Sequence, residues 1–197
     1  MKRQESNIVT VARTTASRRL AVDVASVTAF AALTAVGARV QVHLPFTPVP
    51  VTGQVFCVLL AGAVLGARLG FVSQVQYLAA GAAGLPVFAH GGGPLALLGP
   101  TSGYLVGFPV AAAVVGALAG RLLVRGGTMV ACLCGVGVIY VFGLAWYAVW
   151  TAALGHPVAL VAVLAQSVAP FVLLDVLKAT LAAAATPWLR QRFSGMS

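Results

Sequence analysis

Charge is scarce in this chain. Only 8% of its 197 residues are charged, against roughly 25% in an ordinary soluble domain, and three of them are acidic: Glu5, Asp23 and Asp175. A soluble fold is excluded, because 60% of the residues are hydrophobic and too little polar surface remains to cover them. Cysteine is nearly as rare. Cys57, Cys132 and Cys134 all fall in apolar runs, and two residues along a helix turn the last pair about 200° apart. That geometry excludes a shared metal or an easy disulfide, and leaves the three as small packing residues. No Gly-x-x-x-x-Gly-Lys-Ser/Thr loop occurs, so the chain does not couple to ATP by that route. No basic, aromatic-interleaved domain occurs either, which excludes nucleic acid as a partner. Residues 1–19 mix Arg, Ser and Thr without a continuous apolar core, so they are no cleavable secretory signal.

What is present is a series of apolar runs near the ~20 residues that cross a ~30 Å hydrocarbon core as a helix. They predict an all-α, polytopic integral membrane protein: a compact six-transmembrane-helix bundle with extended proline-rich and glycine-rich outer loops. The expected spans are residues 20–38, 51–66, 69–87, 101–123, 128–150, and a last one opening at Pro170 and ending before Pro187. The apolar stretch 158–168 is read as an interfacial or packed segment, with a seventh span as the lesser option. Residues 1–19 are expected to be a disordered basic cytoplasmic lead, 20–189 a single membrane domain, and 190–197 a cytoplasmic tail.

The basic residues set the orientation, because cytoplasmic loops carry the excess of Lys and Arg. Lys2, Arg3, Arg13, Arg18 and Arg19, then Arg68, Arg121, Arg125, Arg190 and Arg192, all fall on one side of the expected spans. The opposite loops hold only Arg39. Both termini are therefore expected in the cytoplasm, and the net charge of +9 fits contact with anionic lipid heads. Small residues mark close helix approach at Gly62 and Gly66, Gly116 and Gly120, and Ala182 to Ala185. Ala21, Ala25 and Ala29 either pack within the bundle or present a flat surface to another membrane protein, and spacing does not choose.

Two outer loops have unusual chemistry. In 42–54, Pro45, Pro48 and Pro50 enforce extended backbone, which must cover a cavity or pack in protein because its polar groups need partners. In 84–94 and 99–104, Gly91 and Gly92 let backbone N–H groups approach a ligand. Thr101 and Tyr104 open a span whose N-terminus is partially positive. Beneath them, Asp175 and Lys178 stand one turn apart in an apolar run. Each costs about +2.5 to +3.5 kcal/mol near a bilayer centre, which makes the pair a candidate site. Counted from Pro170 they lie roughly 7 and 12 Å into the outer half of the membrane. At i,i+3 they share a face, so mutual neutralisation is the alternative.

The motifs Pro-Phe-Thr-Pro-Val-Pro-Val-Thr-x-Gln (45–54), Gly-Leu-Pro-Val-Phe-Ala (84–89), Gly91 to Gly93, Gly-Pro-Thr-x-Gly-Tyr-Leu-x-Gly-Phe (99–108) and Asp-x-x-Lys (175–178), in that order, resemble the BioY family. Members are biotin-binding membrane subunits of energy-coupling-factor transporters, and the similarity covers about residues 20–186. The resemblance implies a six-helix bundle that captures biotin from the outer side. It further implies a coupling membrane subunit and two ABC-type ATPases as partners, although some members work without them. No cofactor is implied, and a homo-oligomer is left open. By analogy, Asp175 is assigned to the ureido end of biotin and Lys178 to its carboxylate.

Gln54 suits either the ureido ring or a tie to the proline loop. Gln74, Gln76 and Tyr77 are lining or interhelical glue, and Trp146, Tyr147 and Trp150 an aromatic belt or a ring stacked on the ligand. His90 and His156 have no nearby carboxylate and are not expected to bind metal. Two rival functions are an intramembrane hydrolase built on Ser102 with His90 or His156, and a self-sufficient vitamin transporter.

Overall fold

The computed structural model describes residues 2–122, 126–155 and 158–194; Arg125, His156 and residues 195–197 lie outside these. Helix α1 (Lys2–Arg39) begins at Lys2, where a disordered lead was expected. Residues 2–36 contain neither proline nor glycine, so nothing in them stops the helix of the first span from extending backward. Its membrane-grade part is Ala16–Arg39. The chain then extends: β1 (Gln41–Val42) pairs antiparallel with β2 (Val51–Thr52), Gln41 opposite Thr52. The prolines between them keep this segment from becoming helix, as the sequence predicts.

Helix α2 (Gln54–Ala82) covers the expected second and third spans. Gly66 interrupts it at φ 80°, ψ 178°, a conformation that a side chain disfavours. The Gln54 amide lies 2.6 Å from the Tyr77 hydroxyl, whereas 23 residues of straight helix would separate them by about 35 Å. The element is therefore a hairpin with arms 54–65 and 67–82. Glycine lets the arms touch: a Cβ on Gly70 would lie 3.0 Å from Gly62 Cα. The second arm ends at Ala82 rather than at residue 87, and a short 3-10 turn (Pro94–Leu98) precedes the next helix.

Helices α3 (Ser102–Arg121) and α4 (Gly127–Ala153) occupy the expected fourth and fifth spans. The apolar stretch that follows forms α5 (Leu160–Ser167), eight residues or about 12 Å long, too short to cross a bilayer. Val163 and Ser167 are buried, so it is a packed segment. Helix α6 (Val172–Ser194) departs from expectation at both ends. Pro170 lies in the turn before it. At the other end the helix runs through Pro187, where the Thr186 hydroxyl bonds the Ala182 carbonyl and the Arg190 Nε bonds the Ala63 carbonyl of α2. Among the described residues five helices are long and apolar enough to span a membrane, the α2 hairpin counting as one of them, and the chain is a multi-pass membrane protein.

The core has two layers. Near the loops it is rich in aromatic residues, Tyr77, Phe88, Tyr104, Phe108 and Phe171, with Ile139 among them. Toward the other end it is built of small residues, including Ala61, Ala63, Ala119, Ala131, Ala179 and Ala182. Gly62 and Gly116 are contact points there, and an added Cβ would lie 2.3 Å from the Ala112 oxygen or the Ala67 nitrogen respectively. Gly120 meets nothing within 4 Å and serves no such contact. Cys57 and Cys132 are buried and Cys134 exposed, all three as free thiols.

The packing predicts that Gly62→Val, which drives a side chain into the Ala112 carbonyl, costs about 1–3 kcal/mol or more. Gly137→Ala, in open space, should be close to neutral. Thermal unfolding in detergent micelles checks both; equal melting temperatures for the two variants would contradict this packing.

Candidate ligand-binding site

The proline-rich and glycine-rich loops together form a roof. Loop 84–94 folds back because Phe88, buried, sits over Gly81 and meets the Tyr77 ring edge-on at 5.5 Å. Phe88 and Gly91 exchange backbone hydrogen bonds of 2.8 and 3.1 Å, with Gly91 at φ 111°. The strand segment after α1 laces to this loop through alternate residues. Arg39 donates to the Pro86 carbonyl, Gln41 Nε2 to Ala89 at 3.4 Å, and the His43 and His90 rings lie 5.8 Å apart. The proline loop is pinned from below, where Gly53 N–H reaches the carbonyls of Gly37 and Val40 at 3.0 and 2.9 Å.

Under this roof lies a cavity enclosing about 680 Å³ of empty space, its open mouth included. Its walls come from both loops and three helices: Val49 to Thr52, Phe88 to His90, Thr101, Tyr104 and Phe108 of α3, Ile139 and Tyr140 of α4, and Phe171, Asp175 and Lys178 at the start of α6. Of the residues chosen from sequence, Asp175, Lys178, Tyr104, Thr101 and Gln54 meet here. Gly91 and Gly92 do not line it. Their backbone shapes the loop: Gly91 closes on Phe88, and a Cβ on Gly92 would strike the Leu85 carbonyl at 2.1 Å. Ala21, Ala25 and Ala29 lie apart, exposed on α1.

The polar centre of the cavity is Asp175, 2% exposed and in the first turn of α6, where the helix dipole favours a carboxylate. Lys178 Nζ donates to its Oδ1 at 2.7 Å, and the Tyr140 hydroxyl donates to its Oδ2 at 2.7 Å. The ion pair weighed in the sequence is thus formed. Tyr140 went unremarked there, although a phenol in the middle of the apolar run of α4 was the available signal. Tyr104 donates to the Ser167 carbonyl of the α5 segment, and Gln54 to Tyr77, which in turn bonds the Val87 carbonyl at 3.2 Å. Both residues therefore line the cavity while tying its walls.

The remaining candidates are structural. Gln74 bridges Thr34 and Ser73 at 3.3 and 3.1 Å, and Gln76 donates to Thr28 at 3.2 Å, joining α1 to the second arm of α2. Trp146 bonds the Gly99 carbonyl at 2.8 Å, and Tyr147 the Gln166 side chain at 2.9 Å, neither lining the cavity. Ser102, buried, gives its hydroxyl to Gly99 at 2.9 Å, so the hydrolase alternative finds no Ser-His hydrogen bond among the described residues.

Removing one partner of a buried ion pair leaves an uncompensated charge at about 3–5 kcal/mol, while apolar replacement of both is close to neutral or stabilising. Lys178→Met should therefore lower the melting temperature of the ligand-free protein, and the double variant Asp175→Leu/Lys178→Met should recover most of the loss. Additive losses would show that the pair is not coupled.

The comparisons with known proteins agree with this architecture. The BioY family matches residues 6–195. The probable biotin transporter BioY of Pyrococcus horikoshii is 43% identical over 161 residues, covering 81% of this chain and 91% of that protein. The biotin transporter BioY of Rhizobium etli is 38% identical over 163 residues, covering 78% and 84%. Among solved structures, the crystallised S-component for biotin from an ECF-type ABC transporter superposes with a TM-score of 0.78 over 88% of this chain and 93% of that one, at 24% identity, a likeness of fold. With a family match over nearly its whole length, roofed by its proline and glycine loops, the chain belongs to the BioY family.

Proposed function

We propose that this protein captures biotin at the outer face of the cytoplasmic membrane and serves its uptake as the substrate-binding subunit of an energy-coupling-factor transporter. The observation that carries the reading is the cavity itself, in which an Asp-Lys pair lies at the foot of an apolar, aromatic-walled slot. Biotin has matching chemistry: a hydrogen-bonding ureido ring, an apolar thiophane and a pentanoate. Asp175 accepts ureido N–H groups and Lys178 takes the carboxylate, with Tyr104, Thr101 and Gln54 beside them. A fused ring and an aliphatic chain separate the two polar ends of biotin, whereas Asp175 and Lys178 touch at 2.7 Å. Meeting both ends therefore requires the ion pair to open, which the flexible lysine stem permits.

The membrane arrangement follows from the same geometry. Counting the arms of α2 separately makes six crossings. The end opposite the cavity carries Arg68 at the hairpin turn, Arg121 at the end of α3, and Arg190 beside Ala63, while Arg39 stands at the cavity end. This bias supports a cavity that faces outward and termini in the cytoplasm. A coupling membrane subunit with two ATPases supplies the energy, and the exposed Ala21, Ala25 and Ala29 face offers it a flat surface for close helix contact.

Isothermal titration of the purified chain with biotin should give one tight site. Asp175→Asn should weaken it by one to two orders of magnitude, on the order of a hydrogen bond to a charged group. A folded parent that ignores biotin would sink the proposal. In cells, concentrative uptake by this chain in a strain lacking every energising subunit would refute the partnered mechanism alone.

A further inference from the structure

The two loops of the roof meet along one seam, and its last rung carries no hydrogen bond. Arg39 and Gln41, where α1 gives way to β1, donate to the Pro86 and Ala89 carbonyls of the other loop. The next rung sets two imidazoles opposite each other. The His43 and His90 ring centroids lie 5.8 Å apart at an interplanar angle of 54°, both residues are exposed, and neither ring makes a hydrogen bond among the described residues. Along the chain His90 has no ligating neighbour, and the fold supplies one from the opposite loop. In the same seam Gln41 Oε1 is buried without a hydrogen-bond partner, while its amide nitrogen holds Ala89, the residue before His90.

The spacing suits an ion between the rings. An imidazole nitrogen binds zinc at about 2.0–2.1 Å and the ring centroid lies roughly 1.1 Å beyond it, so two ligating rings have centroids about 5.2 Å apart at a tetrahedral angle and about 6.4 Å apart from opposite sides. The observed 5.8 Å falls between these limits. A half-turn about Cβ–Cγ brings either nitrogen of each ring to the seam. We propose that His43 and His90 together bind a divalent transition-metal ion of the zinc class, which staples the two loops of the roof. Water completes the coordination, and one such water donates to Gln41 Oε1. Two protein ligands instead of the four of a structural zinc site make the ion exchangeable. No group of three or more His, Cys, Asp or Glu among the described residues competes for it. The cavity lies beneath this seam with His90 in its wall, so a stapled roof slows the entry and release of the ligand.

Zinc titration of the ligand-free chain in detergent, free of any histidine tag and carrying Cys134→Ser to remove the exposed thiol, tests the site. A single zinc should bind per chain. His43→Ala should weaken it by about tenfold or more, since even groups that only support a metal ligand cost that much when lost, and His156→Ala should not. His43 does not line the cavity, so without zinc His43→Ala should bind biotin as the parent does. Melting temperatures in chelator establish that each variant is folded. With zinc, backbone hydrogen exchange across residues 42–54 and 84–94 should slow in the parent and not in His43→Ala, and release of bound biotin should slow with it. Magnesium, which prefers oxygen ligands, should do neither. A parent that binds no zinc, or a His43→Ala variant that binds it equally well, would overturn the metal site. Unchanged hydrogen exchange with zinc bound would overturn the staple. Both readouts work without biotin, so a folded parent that ignored biotin would sink the function proposed above and leave this inference standing on its own test.

Discussion

A carboxylate buried among apolar helices has to be matched by donors, and the loop end of this protein is arranged around that requirement. Asp175 receives one donor from its own helix and one from α4, which brings α4 and α6 together at a polar point and leaves a cavity between that point and the loops. Replacing such a pair with apolar residues of like volume is often neutral or stabilising, so the pair is weak evidence for stability. The apolar wall of Phe108, Ile139 and Phe171 sharpens this, because it supplies no competing polar partner.

The roof meets a second constraint. Extended backbone at membrane depth is tolerated only where protein or a cavity covers it. Here the proline segment and the glycine loop cover each other. Phe88 stacks onto Gly81 and Tyr77, Gln54 reaches Tyr77, and Arg39 and Gln41 hold the carbonyls of the opposite loop. The α2 hairpin makes these contacts available, since only a reversal at Gly66 brings Gln54 and Tyr77 together. Glycine contacts bring the helices together at both ends, at Gly62 and Gly116 and again at Gly103 and Gly143, while the aromatic residues gather around the cavity.

Much of this was legible in the sequence, for physical reasons. Apolar run length identifies membrane helices, three closely spaced prolines forbid a helix, and an acid-base pair within an apolar run is conspicuous because it is costly. Gln54, Thr101, Tyr104, Asp175 and Lys178 were accordingly chosen and do share one cavity. What escaped depends on contacts between distant segments. Tyr140 matters only because α4 lies against α6. Gly91 and Gly92 suggested ligand contact, yet their backbone serves the loop's own closure. Pro187 suggested a helix end, but the helix continues through it to Ser194, and Arg190 of that continuation bonds the Ala63 carbonyl of α2. The N-terminal lead lacks apolar periodicity, but it also lacks any residue that would stop α1.

The most direct test of the account is a structure determined with biotin bound. The account predicts biotin in the cavity beneath Val49 to Thr52 and Phe88 to His90, its ring against Phe108 and Ile139, a ureido nitrogen within hydrogen-bonding distance of Asp175, and Lys178 swung away from that carboxylate toward the ligand's own. Biotin bound elsewhere, with the Asp175–Lys178 contact unchanged, would contradict it.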